Sequence, residues 1–135
     1  MKTRASLIPV SPRIRTHQIP CAPGHDVVYG LAAGRGDEIY LAASNEFCPG
    51  LCAVVFAFDL VTGKFRPVID VQEATGFEPA SGLLPHCKIH LCLNSTSDGR
   101  AFAATHFTAP GLGQTDFEAI GAYRGKYPGC FFLEY

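Results

Sequence analysis

The chain has 135 residues, 47% of them hydrophobic, enough to build a core and the right length for a single domain rather than a disordered tail. Eleven Lys and Arg side chains against twelve Asp and Glu leave a net charge of -1, without the basic excess that phosphate neutralisation on nucleic acid requires. The longest apolar run, Ala53 to Phe58, has strand length and falls well short of the ~20 residues that span a bilayer, so neither nucleic acid nor membrane is expected as a partner.

Residues 1–25 read as an irregular N-terminal segment. It starts basic, as a signal peptide does, but Pro9, Pro12, Arg13 and Arg15 interrupt any apolar stretch. No secretion signal is read, and the default location is the cytoplasm. His17 and His25 in this segment are assigned no role. The six cysteines, Cys21, Cys48, Cys52, Cys87, Cys92 and Cys130, form no C-x-x-C pair and are read as buried small apolar residues. In an oxidising compartment Cys48 and Cys52, which flank Pro49-Gly50, would close a small disulfide loop.

Residues 26–71 form the first repeat unit. Val27 to Leu31 and Ile39 to Ser44 are short apolar strands joined by a Gly/Asp turn, the signal for an antiparallel hairpin. A third strand follows at Ala53 to Asp59, then the turn Asp59-Leu60-Val61-Thr62-Gly63-Lys64, then a fourth strand from Phe65 to Val71. Pro67 places that last strand at a sheet edge, where a missing N–H is tolerated. Residues 72–87 connect to a second unit, residues 88–135.

The second unit repeats the first. An offset of 62 residues lays Val27 to Leu31 over Ile89 to Leu93, and Ile39 to Ser44 over Ala101 to His106, with the turns between them in register. The third strand, Cys130 to Tyr135, matches the first unit at an offset of 77, Phe58 lying over Tyr135. The expected fold is all-β: a β-propeller fragment with one four-stranded antiparallel blade and about three strands of a second, its fourth strand missing.

Gly36 to Ala42 with Phe56 to Lys64, and Lys88 to His90 with Ser97 to His106 and Tyr127 to Tyr135, carry a family resemblance. Over residues 26–135 this pattern resembles bacterial seven-bladed propeller repeat proteins, most of them uncharacterised. Where such repeats often hold a histidine near the start of the third strand, this chain has Cys130. The resemblance implies that further blades come from a longer chain or from homo-oligomerisation. It extends distantly to oligogalacturonate lyases, propellers that hold a divalent metal with histidines on one axial face. The metal there stabilises charge as a uronide α-proton is removed.

A four-stranded meander puts the connections after strands two and four at one end, and the long segments 45–52, 72–85 and 107–129 all fall there. Long loops on a rigid scaffold collect binding residues, which makes that end the candidate functional face. His86, His90 and His106 are expected there as neighbours and as candidate ligands for a divalent metal, Mn, Zn or Fe. Lys88, Gln114 and Tyr123 are the candidate substrate-binding residues for an acidic carbohydrate, and Asp116, Glu118 and Gln114 the further oxygen ligands. Each has a structural counterpart: histidines that bond backbone, Lys88 paired with Glu78, loop aromatics that anchor the loop to the blade. The functional expectation is metal-assisted lyase or hydrolase chemistry on such a sugar. Its alternatives are a non-catalytic glycan- or protein-binding module and a truncated product without independent function.

Overall fold

A computed structural model describes residues 15–45, 51–107, 125–127 and 129–135. The fold is all-β, with two antiparallel sheets and almost no helix. Among the described residues no helix is long and apolar enough to cross a membrane.

The first sheet is a meander of β1 (Val27–Ala33), β2 (Glu38–Ser44), β3 (Val54–Asp59) and β4 (Phe65–Asp70), in that order. Its turns follow from local chemistry. Between β3 and β4 the Asp59 carboxylate accepts the backbone N–H groups of Val61 and Thr62, both at 2.8 Å, and Gly63 takes φ +69°. Those N–H groups, Thr62 first, hold the Asp59 carboxyl below the usual carboxylate range. Pro67 lies on β4, the edge strand, beside a bulge that leaves Val68 without a partner.

The second sheet contains β5 (Asn94–Ser95), β6 (Ala101–Ala104) and β7 (Phe132–Glu134). Its register is that of the first sheet carried along by the repeat. Moving β2 by 62 residues and β3 by 77 turns the pair Tyr40↔Ala57 into Phe102↔Glu134 and Ala42↔Val55 into Ala104↔Phe132, both of which are formed. The same shift turns Ala32↔Tyr40 into Asn94↔Phe102, also formed.

One expected strand departs from the repeat. Ile89 to Leu93 does not run as a strand beside β6; only Lys88 bridges His106, Leu91-Cys92 is a turn, and strand pairing resumes at Asn94. The cause is the first sheet. Ser44 Oγ accepts the Ile89 N–H at 3.2 Å and donates to the Ile89 carbonyl at 3.4 Å, so Ile89 is tied to β2 instead. Neighbouring backbone follows: Asn45 N–H donates to Cys87 O at 2.8 Å and Ala53 N–H to His86 O at 2.9 Å. The connection between the units is also not featureless. It holds the short helix α1 (Val71–Thr75), capped by the Asp70 carboxylate and ended by Gly76 at φ +64°, and a 3-10 turn at Pro79–Ser81.

The two sheets pack face to face. One face of the first sheet (Tyr40, Ala42, Val55, Ala57, Ile69) meets one face of the second (Ala101, Ala103, Leu133) in a single apolar cluster closed by Val71, Phe77, Ile89 and Leu93. Tyr40 spans the junction, its hydroxyl donating to Gly99 O at 3.0 Å and its ring meeting Tyr135 edge-on at 5.9 Å. The opposite face of the first sheet, Leu41, Ala43 and Phe56, is covered by Ile19 and Cys21 from the N-terminal segment.

The described cysteines are all unbonded thiols; Cys48, one half of the small disulfide loop raised above, lies outside the described residues. Cys52 is buried, and that burial pushes its thiol up to about 11, whereas Cys130 is exposed. A thiol needs its thiolate to react. Titration of the native protein with a chromogenic disulfide at pH 8 should therefore lose one fast-reacting thiol in Cys130→Ser and none in Cys52→Ser. A fast phase that vanishes with Cys52 would contradict the packing described.

Candidate functional site

At the end expected to carry the long connections, Leu84 N–H donates to Lys126 O at 2.7 Å and so ties the inter-unit connection to the segment before β7; most of the connections 45–52 and 107–129 lies outside the described residues. At this end a file of rings runs from β1 to β7. Tyr29 stacks on His90 (centroids 4.4 Å, 22° between planes), and His90 lies 5.8 Å from His106. His106 stacks on Phe107 at 5.6 Å, Phe107 meets Tyr127 at 4.4 Å, Tyr127 meets His86 at 5.2 Å, and His86 meets Phe131 at 4.9 Å.

Each member is placed by backbone. Tyr29 sits at the bulge of β1, where the register to β2 shifts between Val28 and Gly30. The bulge turns Tyr29 toward the second unit, and Gly30 permits the approach. A Cβ there would stand 2.9 Å from Leu93 Cβ and 3.1 Å from His90 O. The Lys88↔His106 bridge brings His90 and His106 together from opposite sides of a broken hairpin.

The three histidines expected to cluster therefore divide into two environments. His90 is half-buried and His106, next to it in the file, is exposed. His86 is 1% exposed, and its Nδ1 lies 3.1 Å from Thr105 Oγ1 and 3.3 Å from the Tyr127 hydroxyl. Thr105 Oγ1 already accepts the Phe131 N–H at 2.9 Å, which leaves its own proton for Nδ1 of a neutral imidazole. Burial lowers the His86 pKa, in keeping with that neutral ring. Burial likewise raises the Tyr127 phenol. His86 thus anchors the segment before β7 to the second sheet.

Lys88 is 6% exposed, with Nζ 5.8 Å from the centre of the Tyr29 ring, so its charge lies against that ring rather than on the surface. Gln114, Tyr123, Asp116 and Glu118 lie outside the described residues. Among the described residues no group of three or more His, Cys, Asp or Glu side chains is arranged to hold a metal ion. Sequence reasoning missed Tyr29, Thr105 and Phe107. The available signal for Tyr29 was its neighbour Gly30, a glycine inside an apolar strand.

The opposite end, expected to hold only tight turns, has a hollow of about 400 Å³ between the sheets, bordered by Arg35, Arg66, Asp98, Arg100 and Tyr135. Two of its arginines are paired within the chain: Arg66 grips both oxygens of Glu38 at 2.7 and 2.9 Å, and Arg100 reaches Asp98 at 3.0 Å. The Arg100–Asp98 pair is exposed on both sides and contributes little, whereas the bidentate Arg66–Glu38 pair links β4 to β2.

Set against protein-family models, curated proteins and solved structures, the chain matches none of them.

Proposed function

We propose that this chain is a propeller segment whose loop-rich end binds an acidic carbohydrate. Tyr29, His90 and His106 form the contact surface, and Lys88 supplies positive potential from below. The observation that supports this reading is the outer half of the ring file with an ammonium under it. Ring faces suit the C–H face of a sugar, and a cation held in a protein environment of reduced dielectric attracts a carboxylate more strongly than one in bulk water. Gln114 and Tyr123, which follow His106 in the chain, complete the proposed binding set.

A second reading is favoured by the 5.8 Å between the His90 and His106 centroids. Two imidazoles whose nitrogens lie about 2.0–2.1 Å from one zinc ion bring their ring centres into a similar range. These two histidines would hold the divalent metal, with His86 outside the set. A metal bound there would stabilise the negative charge of a uronide losing its α-proton, the chemistry expected from the oligogalacturonate-lyase likeness.

Calorimetric titration with oligogalacturonate, with and without a chelator, tests both readings. Tyr29→Ala and His106→Ala should each weaken binding by about tenfold or more, as loss of a stacked contact and of a hydrogen-bonding ring would. Binding that survives chelation supports the first reading; binding lost on chelation and restored by zinc or manganese supports the second. Equal affinity for a neutral oligosaccharide, or variants that bind as wild type does, would defeat both.

A further inference from the structure

The repeat assigns each sheet a front and a back. In the first sheet the front carries Tyr40, Ala42, Val55 and Ala57, and the back carries Leu41, Ala43 and Phe56. Shifted by the repeat offsets, the front of the second sheet is Phe102, Ala104, Phe132 and Glu134, and its back is Ala103, Thr105 and Leu133. The two sheets are joined front to back: the front of the first lies on the back of the second.

That packing leaves the two remaining faces in different states. The front of the second sheet is open. Val55 is 0% exposed on the covered front, while its counterpart Phe132 is 72% exposed and stacks on Phe102 at 5.7 Å. The back of the first sheet is covered, but thinly. Ile19 and Cys21 lie on it half-buried, the rest of residues 15–20 is exposed, and His17 adds one ring contact to Phe58 at 4.7 Å. The N-terminal segment occupies the place that a front face takes elsewhere in the same chain.

We infer that the open front of the second sheet is a docking surface for a second copy of this chain. It receives the back of that copy's first sheet, and residues 17–21 of the copy are displaced. The occupant follows from the interface already formed within the chain, where a front of this repeat accepts a back of the same repeat. The only back not buried against a front is that of the first sheet. Exchanging two half-buried side chains for a whole sheet face increases the apolar area removed from water. The join is head-to-tail, so it closes into a ring or runs on as a filament according to the rotation per copy. With the two described sheets from each copy, a closed ring of about 4–8 sheets takes two to four copies. This inference is independent of any ligand at the loop-rich end.

Sedimentation velocity on the full chain over a range of concentrations tests it with two substitutions of opposite sign. Phe132→Glu should weaken self-association by about tenfold or more, because a carboxylate would be buried unpaired in the join. Ile19→Asp should strengthen association by loosening the segment that competes for the back face. Circular dichroism melts establish that each variant is folded. A wild-type chain and an Ile19→Asp chain that both stay monomeric throughout would overturn the proposal. So would association that ignores Phe132→Glu. If Ile19→Asp leaves the association constant unchanged while Phe132→Glu abolishes it, the fronts pair with each other and the head-to-tail join is wrong.

Discussion

Tyr40→Ala is expected to destabilise the fold by about 3–5 kcal/mol, the range for removing a large buried ring. Tyr40 is 1% exposed at the centre of the cluster joining the two sheets, and its hydroxyl reaches across to Gly99 O on the turn of the second. The alanine variant loses the ring, the edge-on contact with Tyr135 and that cross-sheet bond together. Tyr40→Phe separates the contributions. It keeps the packing and removes one hydrogen bond, so its cost should be about 0.5–1.5 kcal/mol. Urea unfolding of both variants is the measurement. A phenylalanine variant as unstable as the alanine variant would mean that the Gly99 bond, and not the packing, joins the sheets.

His86 sets the second large effect, read through pH. Its imidazole is buried and its pKa is lowered by that burial, so the folded chain keeps it neutral where the unfolded chain takes up a proton. The unfolded value is about 6.5. As pH falls below that value, the unfolded state binds more protons at this residue than the folded state, and stability must decline with the proton difference. The decline ends below the folded pKa, where both states are protonated. His86→Gln should cost about 1–3 kcal/mol at pH 8, because Thr105 and Tyr127 lose the ring nitrogen they face. It should also flatten the acid side of the stability curve. A glutamine variant whose stability falls below pH 6.5 as steeply as wild type would place the titrating group elsewhere. These expectations concern stability alone and leave the outer pair, His90 and His106, untouched.

Much of the fold was legible in the residues because its determinants are local. The Asp59 turn with Gly63, the edge position implied by Pro67 and the apolar runs of β2 and β3 each act over a few residues. The offsets of 62 and 77 placed the strands of the second unit, and they carry the first sheet's register onto the second, as in Tyr40 with Ala57 and Phe102 with Glu134. The candidate site was legible only in outline. That His90 and His106 are neighbours was expected from their places on one hairpin, but it is the single Lys88↔His106 bridge, not a paired strand, that brings them together. That His86 stands apart was not expected, because its environment is made by Thr105, Tyr127 and Phe131, far along the chain.

By itself, then, the sequence determined the all-β class, the four-strand meander of the first unit and the repeat, since turn residues and apolar runs act among near neighbours. Tertiary structure alone decided that Ile89 is drawn out of the second hairpin by the Ser44 hydroxyl. It likewise decided that Lys88 lies under the Tyr29 ring and that one sheet front is buried while its repeat is open. The physical reason is the same in each case: burial and hydrogen-bond satisfaction are settled between segments 40 or more residues apart, and no local pattern of residue types records which of two competing partners a backbone group will take.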